Sequence, residues 1–196
     1  MEKVVNLNNL TAYQPHELGI APGHYTDDTQ MSLAIAELII SGATWSQEVI
    51  ANKFVECFKR DERKGYSKGF FKFLQSIENG SELLGRINPN SARNGAAMRA
   101  APIGIISNID DVLAMSEIQA SITHNTVIGI KSSQEVSLIA HYFIYSLGDK
   151  NSVCEYVSDL TQYKWNDDWN EQVACCGEQT VNALLTTLRQ SKNLHD

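Results

Sequence analysis

Met31, Ala34, Ile35, Leu38 and Ile39 recur at the spacing of one helical face, and every later apolar stretch of the chain repeats that habit. No segment shows sustained period-two alternation, so the sequence predicts an all-α fold, a compact helical bundle of at least seven helices. With 196 residues the chain is long enough for one full core, and a single domain over 1–196 is expected, with 1–25 a largely irregular lead-in. Pro15, Gly19, Pro22 and Gly23 break that lead-in, and MEKVVNLNNL lacks a signal-peptide pattern.

The first helix is preceded by Tyr25-Thr26-Asp27-Asp28-Thr29-Gln30 and is followed by Gly42, a plausible stop. Two carboxylates in a first turn suit the helix dipole. Asp27 also lies four residues before Met31 and eight before Ile35, on the apolar stripe. A carboxylate aimed at a core needs a partner. Two readings stay open from these residues alone: Thr26, Asp27 and Asp28 cap the helix, or they offer hard oxygen ligands to a divalent cation.

Further along, Thr44-Trp45-Ser46-Gln47 fits a capping box, opening a helix with Ile50, Phe54, Cys57 and Phe58 on one face. Its charged end, Lys59 to Lys64, reads as a solvated face without a role. A helix with Phe70, Phe73, Leu74 and Ile77 inward follows, closed by Gly80. The turn-forming stretch Gly85–Gly95 then opens a helix at Ala96-Ala97-Met98-Arg99, which Pro102 breaks or kinks. Arg99 reads as half of a buried structural ion pair ahead of a ligand contact. Asp110-Asp111 caps a helix through Ile122, and Thr123-His124-Asn125 interrupts before a long helix from Val127 to Leu147, stopped by Gly148. Two more helices are expected near 152–162 and 178–190, with Asp167-Asp168 a cap between Trp165 and Trp169. The predicted core contains Met31, Ile35, Leu38, Phe54, Phe58, Phe73, Leu74 and Ile105.

Composition narrows the function classes. A net charge of −7 disfavours an extended nucleic-acid surface. No stretch has the apolar length of a membrane helix. Cys57, Cys154, Cys175 and Cys176 show no Cys-x-x-Cys spacing and read as reduced thiols of a cytoplasmic protein.

Taken together, four pieces in a fixed order resemble the ADP-ribosylglycohydrolase family, whose members include dinitrogenase-reductase-activating glycohydrolases. They are Gly23-x-Tyr25-Thr26-Asp27-Asp28-Thr29-Gln30-Met31; Tyr66-Ser67-Lys68-Gly69-Phe70; Ser91-x-x-Asn94-Gly95-Ala96-Ala97-Met98-Arg99-x-x-Pro102; and Thr123-His124. The resemblance implies an all-α hydrolase of ADP-ribose conjugates that uses Mg²⁺ or Mn²⁺. By that likeness Thr26, Asp27 and Asp28 are metal ligands. Ser91, Asn94 and Gly95 lie on the loop facing ADP-ribose, and His124 lines the same cleft. The partners implied are ADP-ribose or ADP-ribosylated protein.

The chain also departs from the family pattern. Residues 1–25 hold no Gly-x-x-x-Gly-Asp segment followed by a catalytic Glu, and after Glu178 the sequence contains no Asp-x-Asp. A general base and half the metal shell are missing, which reduces the expected metal content to one weak site or none. Three readings follow: a hydrolase with a reduced site, a pseudoenzyme that binds ADP-ribose without cleaving its conjugates, or an inhibitor or immunity factor that keeps the scaffold for a protein partner.

Overall fold

Helical spacing is realised throughout the part of the chain that the computed structural model describes, residues 19–163. These residues form seven α-helices and one 3-10 helix and no strand, so the fold is all-α. An isolated antiparallel bridge joins Asn90 and His124.

Helix α1 (Asp27–Ser41) buries Met31, Ala34, Ile35 and Leu38. Gly42 ends it at φ 62°, a left-handed turn that lets its N–H reach Ile39 O. Helix α2 (Gln47–Arg60) turns Ile50, Phe54, Cys57 and Phe58 into the core. Its cap is Ser46, whose hydroxyl accepts from Val49 N, and not Thr44 as the capping-box pattern suggested. The helix thus starts two residues later than that pattern implies, and Trp45, between the two candidates, donates its indole N–H to Met115 O at 3.0 Å.

Helix α3 (Lys68–Gln75) buries Leu74, and Ile77 is buried just beyond its end. Phe73, expected in the core, is only half-buried. It stacks on Phe70 with ring centroids 6.0 Å apart, under the Arg86 guanidinium. Gly80 does not close this helix. It opens a further one, α4 (Gly80–Arg86), which the sequence reading missed. The signal was present, because Asn79 caps Glu82 N while Glu82 reaches back to Glu78 N. Seven residues are too few for apolar periodicity to show. Glycine is required at 80 by close approach, since a Cβ there would lie 2.3 Å from Asn52 N.

No α-helix starts at Ala96. The chain passes through turns to a 3-10 helix, η1 (Ala101–Ile105), with Pro102 in its first turn. Bonds from Ala100 N to Ala97 O and from Ile103 N to Ala100 O set the tighter period. That period corrects the core assignment: Ile103 is fully buried, whereas Ile105 is 56% exposed. Helix α5 (Ile109–Ser121) is capped by Asn108, leaving Asp110 and Asp111 in its first turn. Helix α6 (Val127–Ile144), capped by Thr126, ends three residues earlier than the apolar run because Ser146 turns left-handed at φ 52°. Helix α7 (Val153–Thr161) matches the expected position closely.

The layers pack around α6, which lies against α5, η1 and α7, while α2 lies against α1 and α4. Serines 132, 133 and 137 of α6 are fully buried, and Ser137 and Ser116 join α6 to α5 through a 2.7 Å hydroxyl pair. The expected helix at 178–190, the Trp165–Trp169 segment and the Cys175-Cys176 pair lie outside the described residues.

Candidate functional site

Thr26 stands at the N-cap of α1 in extended conformation, yet its side chain makes no capping hydrogen bond. Asp27 follows and is buried, with its backbone N–H donated to Lys64 O at 3.1 Å. Burial, reinforced by the neighbouring charge of Asp28, raises the Asp27 carboxyl to about 6. Burial likewise raises Asp28. Capping alone does not account for a buried carboxylate on which burial and a like charge act together. The donor set is one hydroxyl and two carboxylates, all hard oxygens, and it fits a Mg²⁺- or Mn²⁺-type ion completed by water. No group of three or more His, Cys, Asp or Glu among the described residues could hold an ion.

Part of the charged run packs against the start of α1. Tyr25 donates its hydroxyl to Asp61 at 2.8 Å and lies under the Arg63 guanidinium, 4.1 Å from the ring centroid. Arg63 in turn pairs with Asp61. Gln30, buried one turn into α1, donates to Cys57 O and Asp61 O and accepts from the Tyr66 hydroxyl at 2.7 Å. The loop from Asp61 to Tyr66 is thereby tied to α1, and Gly65 at φ 124° lies directly against Asp27. Sequence spacing gave no hint of this, since the contacts join residues more than thirty positions apart.

The second group of site residues is assembled by a staple. Asn125 N donates to Pro89 O, and Thr126 Oγ1 donates to Ser91 O at 3.1 Å while accepting from Gly129 N. Within the loop, Ser91 Oγ accepts from Arg93 N, and Asn94 O accepts from Met98 N. Ser91, Asn94 and Gly95 are half-buried and His124 is buried. The result is direct apposition of Gly95 and His124: a Cβ at Gly95 would meet His124 Cε1 at 2.7 Å and Nε2 at 3.0 Å. Burial, then the charge of Arg99, lowers His124 to about 3, so the ring is neutral at ordinary pH.

Arg99 is fully buried, but its partners are not carboxylates as expected for an ion pair. Its Nε donates to Gln119 Oε1 at 2.6 Å, and its Nη2 donates to Gln119 O and Thr123 Oγ1 at 2.9 Å each. The guanidinium lies 4.4 Å from the Phe54 ring centroid. Burial lowers Arg99 to about 9, while neutral oxygens take the bonds from its Nε and Nη2 and an aromatic face lies beside the guanidinium. Tyr66 senses both Asp27 and Arg99, and Ser32 of α1 donates to Met98 O at 3.1 Å.

The described residues form an all-α scaffold that opens a helix on Thr26-Asp27-Asp28 and seats the Ser91–Gly95 loop against His124. The family model for ADP-ribosylglycohydrolase matches residues 2–194, and the chain belongs to that family. It is similar to the ADP-ribosylarginine hydrolase Tri1 of Serratia proteamaculans (strain 568), with 23% identity covering 98% of this chain and 57% of that protein. It is similar also to the ADP-ribosylhydrolase ARH3 of Homo sapiens, with 26% identity covering 60% of this chain and 35% of that protein. A solved ADP-ribosylglycohydrolase-related protein complex shares the fold at a TM-score of 0.62 and 17% identity, covering 90% of this chain and 63% of that one. The chain thus spans little more than half the length of Tri1 and about a third of ARH3.

Proposed function

We propose that this chain binds ADP-ribose, free or attached to protein, and that it hydrolyses the conjugate slowly or not at all. The observation that carries this reading is the seating of Gly95 against His124, with the Ser91–Gly95 loop stapled to the start of α6. Each of these residues has a local explanation alone. Their assembly from two distant stretches into one polar surface favours a ligand.

In this reading Thr26, Asp27 and Asp28 hold at most one Mg²⁺ or Mn²⁺, and weakly, because three donors leave most of the coordination shell to water. Such an ion, when bound, polarises ribose hydroxyls and orients water. The chain's own residues position the ligand. Ser91 and Asn94 supply side-chain hydrogen bonds, Gly95 permits close backbone approach, and neutral His124 lines the ribose–phosphate surface. The Gly65 loop keeps Asp27 in place. The setting proposed is cytoplasmic, and no described helix is long and apolar enough to cross a membrane.

A second reading, a non-catalytic interaction protein on the same scaffold, draws on Ile105, Ile144, Tyr145 and Leu147. These are exposed within the described residues around the end of α6.

Incubating ADP-ribosylated protein with this chain and Mg²⁺ or Mn²⁺, and following free ADP-ribose, tests the proposal alongside calorimetric titration of ADP-ribose. Binding with little or no turnover is expected. Multiple turnover abolished by Asp27→Asn would show the non-catalytic preference to be wrong. Neither binding nor release would leave the interaction-protein reading.

A further inference from the structure

Proton accounting around Thr123 specifies which nitrogen of His124 carries hydrogen. A guanidinium only donates, so Thr123 Oγ1 is the acceptor of the 2.9 Å bond from Arg99 Nη2. The same oxygen lies 2.6 Å from His124 Nδ1, and both residues are buried. Thr123 has one hydroxyl hydrogen, which needs an acceptor in so buried a place. Among the described residues, the acceptor within reach is Nδ1. Were Nδ1 protonated instead, Thr123 Oγ1 would receive two donors while its own O–H had nowhere to go.

Arg99 cannot turn away to relax this arrangement. Its Nε and Nη2 are fixed on Gln119, whose amide is itself held by Ser133 Oγ at 2.5 Å and Ala96 O at 3.0 Å. The far edge of the imidazole, Cε1 and Nε2, lies over Gly95, where any other residue would place a side chain. The positive charge of Arg99 also keeps the ring neutral, which the direction of the His124 shift supports.

We propose that Arg99 and Thr123 are positioning residues that lock His124 in its neutral Nε2–H tautomer, so that the ring edge over Gly95 is a fixed donor to an acceptor oxygen of an ADP-ribose-type ligand. The donor role rests on the functional reading above; the tautomer does not. A neutral donor whose proton is already in place loses no binding free energy to tautomer selection when the ligand arrives. Arg99 touches no ligand in this arrangement and acts through Thr123.

The test uses nitrogen-15 ring resonances of His124 in the full chain near neutral pH, with ADP-ribose calorimetry on the same samples. Wild type should show Nδ1 as unprotonated and Nε2 as protonated, in one tautomer. Thr123→Val should mix the tautomers and weaken ADP-ribose binding by about the reciprocal of the surviving Nε2–H fraction, roughly twofold for an even mixture, and Thr123→Ser, which keeps the hydroxyl, should restore both. Mixed tautomers in wild type would overturn the proposal without reference to any variant. So would an unchanged spectrum in Thr123→Val, or a changed spectrum with unchanged affinity. A locked wild-type spectrum with no ADP-ribose binding would uphold the tautomer lock while overturning the donor role and the functional reading beneath it.

Discussion

Gly65 and the Asp27 carboxylate occupy adjoining space so tightly that a Cβ on Gly65 would stand 1.8 Å from Asp27 Oδ1. The glycine is also required by its backbone, at φ 124°. Gly65→Ala should therefore cost about 1–3 kcal/mol of stability, read from the midpoint of chemical denaturation. It should also displace Asp27 and abolish whatever heat of Mg²⁺ or Mn²⁺ binding the wild type shows.

The metal prediction is separate. Calorimetric titration with Mn²⁺ or Mg²⁺ should reveal no more than one weak site, and Asp27→Asn should remove it. Two tight sites would contradict a donor set limited to Thr26, Asp27 and Asp28.

The neutral, buried His124 makes stability depend on pH. Its folded value lies near 3 against an ordinary 6.5, so the unfolded chain binds the extra proton between those values. Stability from this group is present above pH 6.5 and is lost as pH falls toward 3, with a slope of at most about 1.4 kcal/mol per pH unit. Carboxylates titrate in the same range, so the informative quantity is the difference between wild type and His124→Gln. That difference should shrink on acidification.

Asn94→Ala and His124→Ala should each weaken ADP-ribose binding by roughly 1–3 kcal/mol, with circular dichroism and melting behaviour close to wild type for Asn94→Ala. Unchanged affinity in both variants would remove the Ser91–Gly95 loop from the site.

Phe54 is fully buried and also supports the Arg99 guanidinium, so two losses meet in Phe54→Ala. Destabilisation of about 3–5 kcal/mol is expected from the cavity alone. Phe54→Leu should recover much of that stability, while the loss of the aromatic face beneath Arg99 remains. Denaturation of the two variants side by side checks this.

By itself the sequence determined the all-α class, because Met31, Ile35 and Leu38 in α1 and Ile50, Phe54 and Phe58 in α2 repeat at a period only a helix can bury. It also marked the candidate site residues, since Thr26-Asp27-Asp28 and Ser91-x-x-Asn94-Gly95 are contiguous patterns with a family likeness. Short elements escaped it. Helix α4 has seven residues, and the stretch from Ala96 passes through turns into the 3-10 helix Ala101–Ile105, which a search for 3.6-residue repeats reads as an α-helix, sending Ile105 inward when it faces out. Only the tertiary structure decided what surrounds each marked residue. The Asp61–Tyr66 loop that walls Asp27, and the Gln119 and Thr123 oxygens that take the place of a carboxylate around Arg99, are brought together by helix packing across twenty to thirty-six positions. Side-chain hydrogen bonds of that range depend on how helices cross, and no local pattern along the chain encodes that crossing.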